Sequence, residues 1–138
     1  MTITINNETE TPIYEQIRNQ IVIEIASGGL KPGESLPSVR KLGADLGVNF
    51  HTVNKAYASL CKDGYLSMDK RKGAVIEEKN NKNFLPKLNN KILITAAEAL
   101  CHGIDEEEFL TLCAENYYKA KNSDEAAIVE TELKVRLV

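Results

Sequence analysis

The stretch PSVRKLGADLGVNFHTVNKAYASLCKDG, residues 37–64, decides how this chain folds. Pro37-Ser38 supplies a helix start, and Val39, Leu42 and Leu46 recur at helical spacing until Gly47. Val48 is an apolar turn residue, and Asn49 suits the N-cap of a second helix because its side-chain oxygen can accept from the first amides. Val53, Tyr57 and Leu60 form the inner stripe of that helix, which Gly64 ends. Two short helices joined by a tight, glycine-containing turn read as a helix-turn-helix. Gly43 sits inside the first helix at a cost on the order of 1 kcal/mol relative to alanine. The usual reason for such a residue is the close approach of another helix.

Upstream, Thr11-Pro12 predicts a helix start with a hydroxyl cap, followed by Tyr14, Ile17, Ile21 and Ile25 and ended by Gly28-Gly29. Lys31-Pro32-Gly33 is a turn, and Glu34-Ser35-Leu36 has the length of a short strand. Downstream, Tyr65 to Met68 and Ala74 to Ile76 read as two strands around the basic tip Asp69-Lys70-Arg71-Lys72-Gly73. Three helices followed by a two-stranded basic hairpin is the order of a winged helix.

Residues 77–83 are polar and predict a linker. From Leu88 to Leu100 the chain is apolar almost all round, with Ile92, Leu93, Ile94, Ala96, Ala97 and Ala99 between. A helix apolar on every side must be covered on every side. A tail of about fifty residues cannot do that alone, so a second subunit is expected. His102-Gly103 closes that helix. Asp105 caps the next, with Glu108 as its capping-box partner and Ile104 set to staple Phe109. Its inner stripe reads Phe109, Leu112, Cys113, Tyr117 and Ala120. The dimerisation residues expected across both helices are Leu88, Ile92, Ala96, Leu100, Phe109, Leu112 and Tyr117. Residues 124–138 alternate like a strand, yet Glu130 with Lys134 and Glu132 with Arg136 are equally good helical pairs; both readings stay open. The expected class is α+β: a winged helix-turn-helix DNA-binding domain over 1–78, then a linker and a small all-helical dimerisation region over 79–138.

A length of 138 residues leaves no room for a (β/α)₈ barrel. Hydrophobic content of 43% beside 27% charged residues fits a globular chain better than a disordered one. No apolar run approaches the roughly 20 residues of a membrane span, and the first residues lack the pattern of a signal peptide. The expected compartment is therefore the cytoplasm, without a membrane partner. Cys61, Cys101 and Cys113 show no CxxC spacing, which argues against a disulfide framework and against a closed zinc site. No phosphate loop, GxSxG elbow or HExxH is present. The acidic run Asp105 to Glu108 is explained by capping and the helix dipole. No catalytic residue, enzymatic activity, metal or cofactor is expected.

A formal net charge of -3 argues against nucleic acid until it is mapped along the chain. Leu36 to Gly73 holds seven basic residues against three acidic ones, a balance of +4. Glu98 to Glu132 holds ten acidic residues against two basic, a balance of -8. This is the pattern of a basic binding module joined to an acidic body.

The ordered pieces Pro12-Ile-Tyr-Glu-Gln-Ile, Gly29-Leu-Lys-Pro-Gly-Glu, Leu36-Pro-Ser-Val-Arg-Lys-Leu, Leu46-Gly-Val, Thr52-Val and Gly64-Tyr-Leu resemble the GntR family of bacterial transcription regulators. The resemblance runs from roughly Thr11 to Glu78. The short remainder resembles the YtrA-type branch, whose C-terminal part is a small helical dimerisation unit. What the resemblance implies is a homodimeric DNA-binding regulator, usually a repressor. Ser38 and Arg40 match the family's Pro-Ser-x-Arg element, whose arginine reaches DNA. Asn49, His51, Thr52 and Asn54 match recognition-helix positions that face the major groove or its phosphates, and Gly73 matches the wing glycine. Three positions depart from the pattern. Phe50 stands where a small residue, proline or a basic residue is usual; Arg71 stands where an earlier wing glycine is common; and Ala74-Val75 replaces a frequent Thr-Phe pair.

These residue types suit a division in which phosphate contacts anchor and base contacts specify. Arg40, Lys55, Lys70, Arg71 and Lys72 supply fixed charge, while Ser38, Thr52 and the amides near Asn49 can donate to phosphate. Asn54 can make a paired contact to adenine, and His51 can reach a phosphate or a base edge. Phe50 either packs on a thymine methyl or staples onto Lys55 or Tyr57. The expected partner is double-stranded DNA carrying an inverted repeat, bound by a homodimer; release by a small-molecule effector stays open, and the sequence does not identify one. Two other readings stay open: a winged-helix module that binds protein, and a metal- or redox-responsive regulator using Cys101, His102 and Cys113.

Overall fold

The computed structural model describes residues 1–122, so the alternatives open for 124–138 lie outside the described residues. The elements run α1 (Ile13–Ala26), α2 (Val39–Leu46), α3 (Phe50–Lys62), β1 (Leu66–Asp69), β2 (Gly73–Ile76), α4 (Leu85–Cys101) and α5 (Glu106–Lys121). They fall into two units, one built on Met1–Glu78 and the other on Lys79–Lys119.

The first unit is a winged helix-turn-helix. Its core takes Ile17 and Ile21 from α1, Leu42 from α2, Val53, Ala56, Tyr57 and Leu60 from α3, and Leu66, Ala74 and Ile76 from the hairpin. Burying each large aliphatic side chain contributes about 1.5–3 kcal/mol. The Tyr57 hydroxyl donates to the Pro37 carbonyl at 2.7 Å, fastening the entry of α2 to the middle of α3. Burial pushes its phenol up to about 12. β1 and β2 pair antiparallel, with Leu66 opposite Ile76 and Asp69 opposite Gly73.

Two local expectations need correction. Pro12 takes the N-cap position of α1, and the helix starts at Ile13, one residue later than the sequence suggests. Pro12 still accepts from the Gln16 amide at 3.1 Å, but it offers no capping side chain. Glu34 to Leu36 makes a single bridge, Ser35 to Val75, and no full strand. The Leu36 amide donates to Ala74 at 2.8 Å and the Ile76 amide donates to Glu34 at 2.9 Å, which covers the outer edge of β2.

The first residues are tied to α1 by two glutamines. Gln16 accepts from the Asn6 amide at 2.8 Å and donates to the carbonyls of Asn6 and Thr11 at 2.8 and 2.9 Å. One turn on, Gln20 accepts from the Thr4 amide at 2.9 Å and donates to the Thr4 carbonyl at 2.7 Å. Each side chain thus pairs with the arm as a neighbouring strand would, and Ile3 and Ile5 pack on the core. Gln16 is buried, so apolar replacement removes three bonds at once. Gln16→Leu is expected to lower unfolding free energy by about 1–2 kcal/mol, the freed arm finding water in place of protein partners. Urea titration checks this, and limited proteolysis should show early cleavage before Thr11. An unchanged midpoint and an intact arm would refute it.

In the second unit, Asp105 caps α5 by accepting from the Glu108 amide at 2.9 Å, and Gly103 turns the chain between the helices at φ +77°. No residue of α4 or α5 is buried. Leu88, Ala96, Phe109 and Leu112 are half-buried, but Ile92, Leu100 and Tyr117 are exposed. Of the expected inner stripe of α5, Cys113 and Tyr117 lie open within the single chain. Two helices share only one line of contact, and apolar side chains off that line have nothing within the unit to pack on.

Candidate nucleic-acid interface

Two capped helix starts build the site. Ser38 stands at the N-cap of α2, its hydroxyl accepting from the Lys41 amide at 3.1 Å. Its own hydroxyl proton can still be donated outward. Asn49 caps α3, accepting from the His51 amide at 2.9 Å. Between them Gly47 adopts φ +69°, and the Val48 amide donates to Gly43 at 2.9 Å to close α2. Gly43 has the close neighbour that its place in a helix suggests. A Cβ there would meet the Val48 carbonyl oxygen at 2.9 Å and the Phe50 Cα at 3.3 Å.

On α3, Val53, Ala56, Tyr57 and Leu60 are buried while His51, Asn54 and Lys55 are exposed. Spacings of three and four residues place those three on one outer face. Thr52 is half-buried beside them. Arg40, the second residue of α2, lays its guanidinium carbon 4.2 Å from the centre of the Phe50 ring. The His51 ring lies 4.2 Å from the same ring, centroid to centroid, tilted by 33°. The Phe50 ring thus faces Arg40 and its own neighbour His51. Helical side chains lean toward the N-terminus, so the first side chain of α3 turns back to α2. Lys55 instead places its ammonium 4.1 Å from the centre of the Tyr14 ring on α1. Lys41 is paired with Asp45 at 3.1 Å.

The wing tip is organised by Asp69, a residue to which the sequence pattern assigns no role. Its carboxylate accepts from the Arg71 amide at 2.7 Å and the Lys72 amide at 2.9 Å. These bonds, that from Lys72 foremost, hold its carboxyl below the usual range. Aspartate immediately before a turn, where its side chain can accept from the amides two and three residues on, is the signal that could have revealed it. Gly73 takes φ +76°, and no described residue other than glycine has a positive φ. Arg71 therefore occupies the tip without needing glycine's freedom. Lys70, Arg71 and Lys72 are all exposed.

Ser38, Arg40, Asn49, Phe50, His51, Thr52 and Asn54 thus stand on the two helix starts, whereas Lys70 to Gly73 belong to the wing and Lys55 leans on α1. Among the described residues no group of three His, Cys, Asp or Glu side chains could hold a metal ion. His102 places its Nδ1 2.8 Å from the Glu98 carbonyl oxygen. No helix among the described residues is long and apolar enough to cross a membrane.

Residues 13–76 match the family described as bacterial regulatory proteins, gntR family. Over 76 residues the chain is 41% identical to the HTH-type transcriptional repressor YtrA of Bacillus subtilis (strain 168), covering 55% of this chain and 58% of that one. A 49-residue match at 43% identity covers 36% of this chain and 40% of the HTH-type transcriptional regulator Rv1152 of Mycobacterium tuberculosis. The chain thus spans about half the length of these curated relatives. Among solved structures, YtrA from Sulfolobus acidocaldarius, a GntR-family transcription factor, is 43% identical with a TM-score of 0.57, covering 67% of this chain and 97% of that one. A transcriptional antiterminator from Listeria monocytogenes EGD-e is 30% identical with a TM-score of 0.81, covering 88% of this chain and 94% of that one.

Proposed function

Since this chain belongs to the GntR family of bacterial regulatory proteins, we propose that it works in the cytoplasm as a homodimeric regulator that represses by occupying an inverted-repeat operator. The observation that carries this reading is the outer face at the starts of α2 and α3. There Arg40, His51, Thr52 and Asn54 surround two capped helix ends, while the opposite side of α3 is sealed into the core. In operation α3 lies in the major groove, where Asn54 and His51 address base edges and Arg40, Ser38 and Thr52 hold phosphate or base oxygens. The wing lays Lys70, Arg71 and Lys72 along the flanking backbone. Two subunits related by a two-fold axis present two such helices, so the preferred DNA repeats with inverted symmetry.

In vitro selection from random duplexes by the purified protein tests the reading, followed by affinity measurements across a salt series. An inverted repeat is expected, with log affinity falling linearly against log salt. Replacing Lys70, Arg71 and Lys72 together by alanine should reduce that slope by up to about 3, one unit for each phosphate left without its cation. Recovery of no inverted repeat would end the proposal. An unchanged slope would take the wing off the DNA.

A further inference from the structure

Arg40 is exposed, and among the described residues it makes no ion pair. Its neighbour is an aromatic face: the half-buried Phe50 ring, 4.2 Å from its guanidinium carbon. A guanidinium is planar and carries its N–H donors in that plane. Contact with a ring therefore restricts where the group sits while leaving edge donors available for oxygen or base acceptors. Phe50 is itself well placed to act as a support. It is the first residue of α3, its backbone lies against Gly43, and its ring also meets His51 at 4.2 Å. One of the residues that depart from the family pattern thus touches two of the side chains expected to meet DNA.

We propose that Phe50 is a positioning residue of the reading head, holding the Arg40 guanidinium in the orientation that engages DNA. This rests on the DNA-binding reading above. A long exposed side chain loses conformational freedom when it binds; docking it on a ring beforehand removes part of that loss, which is the general benefit of preorganisation.

The test is a double-mutant cycle on the operator selected by the wild-type protein, paired with NMR of the DNA-free protein. Arg40→Ala is expected to weaken binding about 10-fold or more. In a Phe50→Leu background the same change should cost at least about 3-fold less, because the arginine is no longer held. Phe50→Tyr, which keeps the ring, should restore the full Arg40 dependence. Without DNA, the Arg40 side-chain protons should show aromatic ring-current shifts in wild type and Phe50→Tyr, and lose them in Phe50→Leu. An equal Arg40→Ala penalty in the Phe and Leu backgrounds would overturn the proposal, as would absent ring-current shifts in wild type. Should Phe50→Leu fail to fold, the comparison of Phe50→Tyr with wild type and the wild-type shifts still decide it. Ring-current shifts in a wild-type protein that selects no DNA would locate the failure in the DNA-binding reading, and the positioning role would fall with it.

Discussion

Gly43→Ala is expected to destabilise the reading head by about 2 kcal/mol, lowering its Tm by roughly 10 °C. Helix propensity points the other way: alanine in place of an interior helical glycine should stabilise by about 1 kcal/mol. The geometry decides the sign. A Cβ at this position would stand 2.9 Å from the Val48 carbonyl oxygen, closer than a methyl group and a backbone oxygen can sit. The obstacle is not a side chain that can swing aside. Val48 is bound to Gly43 itself through its amide at 2.9 Å, so moving its carbonyl also disturbs the bond that closes α2. The next nearest atoms, the Cα and N of Phe50 at 3.3 Å, open α3. Relief therefore means pushing α3 away from α2, which carries Phe50 off Arg40 and opens the core at Leu42 and Val53. Gly43→Val should be worse, leaving little folded reading head at 37 °C. Calorimetric or circular-dichroism melts of both variants make the measurement. A Gly43→Ala protein as stable as wild type, or more so, would show that the turn yields easily.

That glycine marks how far the sequence could be read. Ser38, Asn49, Asp105 and Gly47 were legible because caps and left-handed closures are settled within a few neighbouring residues. The buried face of α3 was legible from periodicity for the same reason. The start of α1 slipped by a residue because Thr11 and Pro12 could each stand at the boundary, and only the backbone chooses between them. Gln16 and Gln20 gave no warning, since an amide that pairs with backbone ten or sixteen residues away looks like any solvent-facing glutamine. Phe50 stands out in the sequence as a departure, but its neighbours do not. Its contact with Arg40 depends on how the turn sets α3 against α2, and Lys55 is engaged with Tyr14. In the second unit the all-round apolar character of α4 was plain. Which positions α5 would cover was not, because apolar residues on every side give no preferred face.

Leu93→Glu combined with Leu100→Glu is expected to convert the protein to a monomer at micromolar concentration and to weaken operator binding at least about 100-fold. Leu93 and Leu100 are seven residues apart, two helical turns, so they project along one stripe of α4 with Ala97 between them. They are 63% and 73% exposed, among the barest large apolar side chains of the second unit. Neither helix there buries a single residue, so the unit lacks a core of its own. A second copy offers the same apolar surface, and two-fold pairing lets each stripe cover its counterpart. Each glutamate then removes about 1.5–3 kcal/mol of apolar burial and sets a charge in the contact. The symmetry enters both changes twice, so four carboxylates confront the interface. The weaker hold on DNA follows from linkage: two heads joined in one dimer bind the second half-site at a high effective concentration, and separated heads do not. Light scattering and operator titration of the same sample make the measurement, with single half-site affinity as the control. That affinity should stay within about 3-fold of wild type, because the substituted residues lie outside the winged unit. A variant that stays dimeric at low micromolar concentration would remove α4 from the subunit interface. A monomer that still bound the full repeat with wild-type affinity would remove dimerisation from operator recognition.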